Sequence, residues 1–145
     1  MVMIKVNKEK ETSKENEKSE VKLTPEYIQG KLFSFHDISH KFHLDTKSFA
    51  EHKALDFLYK ELIGFKDEIS EKLMGYLGGK RIGKITIDEI PSYSQDAVVK
   101  LVSDIQDFAY ELYEWAGEKK YCDIENISQS LSGVAAKTKY LLTLS

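Results

Sequence analysis

The sequence predicts an all-α protein, a bundle of four helices whose second and third members are joined by a long connection. Three observations lead there. Apolar residues recur at steps of three and four in four separate stretches between residues 24 and 145, the spacing that lines one face of a helix. Two prolines and eight glycines are all that interrupt 145 residues, which favours long regular elements. A composition 41% hydrophobic and 31% charged suits one globular domain able to bury a core.

Residues 1–22 stand apart, with six lysines, five glutamates and almost nothing apolar after Val6. Such a segment buries too little surface to offset its backbone entropy and is expected to be a mobile charged tail, leaving residues 23–145 as the bundle. The first helix opens at Thr24-Pro25-Glu26, a capping hydroxyl, a proline at the first helical position and an acid in the positive first turn. Its stripe is Ile28, Leu32, Phe35, Ser39 and Phe42, and it ends near Leu44. A second start at Asp45-Thr46 precedes Leu55, Leu58, Leu62, Phe65, Ile69, Leu73 and Leu77, until Gly78-Gly79 stops the helix. At 1.5 Å per residue this helix would be roughly 45 Å long.

KRIGKITIDEIPSYS, residues 80–94, mixes glycine, β-branched residues and proline, and reads as an extended crossover able to run the length of the bundle. Val98, Leu101, Ile105, Phe108, Leu112 and Trp115 then mark a third helix ending at Gly117. Asp123 is placed to cap a fourth, with Ile124, Ile127, Leu131, Val134, Thr138 and Leu141 on its apolar face. Four amphipathic helices with one long connection between the second and third describe a bundle of ferritin-like topology.

Composition excludes several roles. A formal charge of −3 without an obvious basic patch gives no general pull toward nucleic acid or anionic membrane. One cysteine, Cys122, supports neither an internal disulfide nor a cysteine metal cluster, and it reads as a partly buried small residue. No apolar run reaches the length of a membrane span. A cytoplasmic location is expected.

The chemistry concentrates in HKFHLDTKSFAEHKALDFLYKELIGFKDEISEK, residues 40–72, which holds three of the four histidines. On the second helix His52, Asp56, Asp67 and Glu71 fall at about 0°, 40°, 60° and 100°, one arc beside the apolar stripe. Along the axis, His52 and Asp67 are about 22 Å apart, far beyond the reach of one metal ion. A two-fold axis near the middle of that helix resolves this, because an antiparallel partner helix would bring its Asp67 and Glu71 opposite His52 and Asp56. Ile63 would supply an apolar centre for the seam, and Gly64 would let backbones approach. His40, twelve residues before His52 at the end of the first helix, adds a second imidazole across the turn. Two imidazoles and three carboxylates suit Fe(II) and its Fe(III) product; manganese or zinc would also fit.

With those positions identified, FHDISHKFHLDTKSFAEHKALDFLYKELIGFKDEISEKLMGYLGG resembles the signature region of the Dps family of ferritin-like mini-ferritins. His40, His52, Asp56, Asp67 and Glu71 match the family's ligand positions at spacings of 12, 4, 11 and 4. The resemblance implies Fe(II) binding and oxidation by these five residues at a dimer interface. It further implies iron storage in a hollow homo-oligomeric shell, a dodecamer in the family, and protection from peroxide-driven oxidative stress. The chain departs from the family in KFHLDT after His40, where a tryptophan and a glycine-containing turn are usual, and in its extended crossover, where relatives often carry a short helix. Family members that bind DNA often use a lysine-rich tail; here glutamates nearly cancel the lysines, so DNA binding is expected to be weak at most.

Other readings stay open beside this one. His36 and His43 share the stripe of His40 and could be outer ligands, entry-path residues or plain polar surface. Tyr59, Tyr110, Tyr113 and Trp115 sit at core spacing, which packing explains. Asp104, Asp107, Glu111 and Glu114 form an acidic face, either solvated or lining an iron-attracting pore. The alternative for the whole chain is a non-catalytic helical scaffold or interaction protein, with a vestigial site or one for manganese or zinc.

Overall fold

A computed structural model describes residues 22–144 as four α-helices, α1 (Pro25–Asp45), α2 (Phe49–Tyr76), α3 (Gln95–Lys119) and α4 (Cys122–Leu142). The all-α four-helix bundle is as the sequence predicts; the tail expected over residues 1–22 lies, but for Lys22, outside the described residues. Among those residues no helix is long and apolar enough to cross a membrane.

Each helix begins where its chemistry says. The hydroxyls of Thr24, Ser48 and Ser94 accept from the backbone N–H three residues on, at Tyr27, Glu51 and Ala97, which satisfies amides that have no partner within the helix. Three boundaries differ from the sequence reading. Ser48 rather than Asp45-Thr46 caps α2, because Asp45 still belongs to α1 and Thr46 carries that helix's last backbone bond, to Phe42. Asp123 lies in the first turn of α4 instead of capping it, where its charge still faces the positive helix end. Helix α3 runs past Gly117 to Lys119 and closes at Lys120 in the left-handed region (φ 62°).

The helices pack side by side as α1 on α2, α2 on α4, α4 on α3 and α3 on α1, and the backbones of the diagonal pairs stay apart. Gln29 bonds Ser70 and His43 meets His52, so α1 and α2 run antiparallel. Lys137 stands over the Phe57 ring and the Asp123 N–H reaches the Tyr76 hydroxyl, so α4 is antiparallel to α2. The stripes named from the sequence fill the centre: Ile28, Leu32, Phe42, Leu55, Leu58, Leu62, Ile69, Val98, Ile105, Leu112, Ile124 and Leu131 are all 0% exposed. Tyr110, expected to pack, is instead 61% exposed, and Cys122 is exposed rather than partly buried. Both lie off the inward arc of their helices.

Residues 77–94 contain no helix and return along α1 from its start to its end. The Gly83 N–H donates to Glu26, and Lys31 pairs with Asp88 at 2.8 Å. The buried Ser34 hydroxyl accepts from the Asp88 N–H at 2.8 Å while donating to the Gly30 carbonyl. At the far end the Tyr93 phenol donates to the buried Glu51 carboxylate beside Thr46. Burial, and then this bond, raises the Tyr93 pKa above its ordinary value.

At Gly30 the crossover comes close, since a Cβ there would stand 2.5 Å from the Thr86 carbonyl oxygen. Alanine is the better helix former by up to about 1 kcal/mol. Even so, Gly30→Ala is expected to destabilise by about 1–3 kcal/mol, because the atom it strikes is backbone on a segment pinned at both ends. A lower midpoint in urea unfolding checks this; a stabilised variant would show that the crossover yields freely.

Candidate metal centre

All four histidines of the chain converge on the outer side of the α1–α2 hairpin. His36, His40 and His43 occupy successive turns of α1, and His52 lies in the first turns of α2. Tyr59 stands among them, its ring 4.5 Å from that of His40, 5.1 Å from His43 and 6.1 Å from His36. The short turn through residues 46–48 brings the end of α1 against the start of α2, so positions nine apart in sequence meet.

His43 and His52 form the tightest part. Their rings stack at 3.8 Å and 22°, and each Nδ1 faces the other's backbone carbonyl, at 3.0 Å and 2.9 Å. A carbonyl oxygen only accepts, so both Nδ1 atoms carry the proton and, in the neutral rings, the lone pair falls on Nε2. His36 follows the same rule, with its Nδ1 3.2 Å from the Asp37 carboxylate. Metal-ligating histidines are held this way, with the second ring nitrogen donating to a carbonyl or carboxylate. Three of the four imidazoles are therefore preset to offer Nε2.

Of the five ligands expected from sequence, the chain places three at this end. His40 stacks on Tyr59, His52 on His43, and Asp56 sits half-buried one turn beyond His52. Asp56 is bonded to Lys60 at 3.0 Å, and that ammonium holds its carboxyl below the usual carboxylate value. Asp67 and Glu71 lie exposed farther along α2, about 22 Å and about 28 Å from His52 at 1.5 Å per residue. Within one chain the two groups stay apart, as the sequence requires. Ile63 between them is 42% exposed, and a Cβ built on Gly64 would meet nothing within 4 Å. Among the described residues, no group of three or more His, Cys, Asp or Glu side chains could hold a metal ion within one chain.

The sequence reading left His43 as an outer ligand or surface residue; the structure makes it the buried partner of His52. The sequence shows only that His43 lies in the last turn of α1; its pairing with His52 depends on how the two helices meet. Tyr59, read as packing, is the half-buried ring at the centre of the cluster. On the acidic face of α3, Asp104 is paired with Lys100 at 2.7 Å, while Asp107, Glu111 and Glu114 are exposed.

A helical bundle with a histidine-rich outer face on its first hairpin is thus the class that fold and site define. The chain belongs to DUF5856, a family of unknown function, whose model matches residues 43–142. That stretch includes His43, His52, Asp56, Asp67 and Glu71 and begins after His36 and His40. The chain is also similar to an uncharacterized 14.6 kDa protein in the mobD–ri intergenic region of Enterobacteria phage T4, with 30% identity over 120 residues, 82% of this chain and 87% of that one. No solved structure matches.

Proposed function

We propose that the protein is a Dps-like ferroxidase that binds and oxidises Fe(II) between subunits of a homo-oligomer, sequesters the product and so limits peroxide damage in the cytoplasm. The observation that carries this reading is the convergence of the four histidines, three with Nδ1 engaged, on a side of α2 that also exposes Asp67 and Glu71. His40, His52 and Asp56 of one subunit would bind Fe(II) together with Asp67 and Glu71 of its two-fold mate. The His43 carbonyl keeps the His52 ring turned so that Nε2 is offered. Lys60 must release Asp56 when Fe(II) arrives, and the ion's double charge makes that exchange favourable. In the reaction two Fe(II) each give up one electron, and one hydrogen peroxide takes both with two protons to yield two waters; dioxygen, the other oxidant such a site would admit, takes both with two protons to yield hydrogen peroxide. Iron is substrate and cargo here, and manganese or zinc suits the same donors. A dodecameric shell is the assembly implied by the Dps resemblance, and DNA is at most a weak partner.

A second reading draws on the His43–His52 pair. Its reciprocal bonds and ring stacking already fasten the α1–α2 hairpin without any ion, which suits a helical scaffold with no catalytic role. Sedimentation and anaerobic Fe(II) titration of the full-length protein separate the two. The ferroxidase reading expects a large closed oligomer taking up about two Fe(II) per dimer or a small multiple of that, at di-iron sites at the two ends of a two-fold seam. A monomer that takes up no Fe(II) establishes the scaffold.

A further inference from the structure

We propose that each chain carries a two-histidine chelate for a borderline transition cation such as Cu(II), Ni(II) or Zn(II), formed by His36 and His40 on α1 and needing no ligand from a partner subunit. The two rings stand one helical turn apart with centroids 6.0 Å apart. An imidazole nitrogen lies about 2.0–2.1 Å from a bound cation, so two rings holding one ion by Nε2 at cis or tetrahedral angles have centroids about 4.5–5 Å apart, which a rotation of the two side chains reaches. Positions i and i+4 supply that separation without backbone movement.

The surroundings favour a cation. Asp37 accepts from His36 Nδ1, which fixes the tautomer and makes Nε2 the better donor. His40 rests flat on Tyr59 at 26°, so its ring is held by stacking rather than by a bond to either nitrogen. Two of the nearby lysines are already paired, Lys41 with Asp45 at 2.6 Å and Lys60 with Asp56 at 3.0 Å. The His36 side chain keeps 16% of its surface exposed, which leaves an approach from solvent. Two neutral nitrogens and open water positions select by the general affinity order, in which Cu(II) leads and Ni(II) and Zn(II) exceed Fe(II). The donor set therefore differs in kind from the oxygen-rich inter-subunit centre, and this inference shares only His40 with that reading.

Cu(II) alone, titrated into the full-length protein at neutral pH and followed by electron paramagnetic resonance, tests it. The parent should bind one Cu(II) per chain with nitrogen hyperfine structure from two imidazoles. His36→Ala should weaken binding by tenfold or more and leave one imidazole, and Asp37→Ala should weaken it by about tenfold with both imidazoles retained. Asp67→Ala combined with Glu71→Ala should bind Cu(II) as the parent does, whether or not that variant oxidises iron. Unchanged affinity and spectrum in His36→Ala, with helicity intact by circular dichroism, would overturn the chelate. So would loss of Cu(II) in the Asp67/Glu71 variant, which would place the ion between subunits.

Discussion

Asp67→Ala combined with Glu71→Ala is expected to slow peroxide-driven iron oxidation by about a hundredfold or more, to the rate of iron in buffer. Thermal stability should hardly change. Both side chains are exposed on α2 and make no hydrogen bond or ion pair among the described residues, so folding does not depend on them. Alanine is also the better helix former at both positions. On the proposed function the loss falls on the ion, because these two carboxylates would be the hard oxygen ligands supplied by the mate and favoured by the Fe(III) product. Ferric absorbance after peroxide addition, beside a melting curve by circular dichroism, gives both readouts. Oxidation as fast as in the parent would show that the inter-subunit ligands are assigned wrongly.

Phe42→Ala should have the largest effect on stability, about 3–5 kcal/mol. Phe42 is 0% exposed and meets the Tyr93 ring edge-on at 5.9 Å, so it joins the last turns of α1 to the end of the crossover. Removing it opens a cavity beneath the Tyr93–Glu51 bond and beside the His43–His52 stack. The loss is a large share of the roughly 5–15 kcal/mol that stabilises a domain of this kind. Urea unfolding measures it, and a cost under about 1 kcal/mol would mean that the neighbouring chains close over the gap.

The helices were legible because their cause is local. Steps of three and four in residues such as Leu55, Leu58, Leu62 and Ile69 respond to one inward face, and all four are buried. Capping was less legible where two candidates competed: Asp45-Thr46 and Ser48 all have the chemistry, and packing of the α1 end decided for Ser48. The separation of His52 from Asp67 was legible from the rise of a helix alone. The reciprocal bonding of His43 with His52 was not, since it depends on the angle at which α1 meets α2 across three residues. Nor was the approach of Thr86 to Gly30, where a glycine inside a helix gives no sign of which segment needs the room.

The route of residues 77–94 also bears on how the chain acquires its shape. The α1–α2 and α3–α4 pairings are the most extensive and join neighbours in sequence, so they close short loops and form early. The crossover's anchors on α1 and α2 link residues 57, 54 and 42 positions apart. They need the α1–α2 hairpin already in place, so the strap is laid down after it. Because most of its residues stay exposed, it is also the part whose amides exchange with solvent first, well before those of the helix it covers.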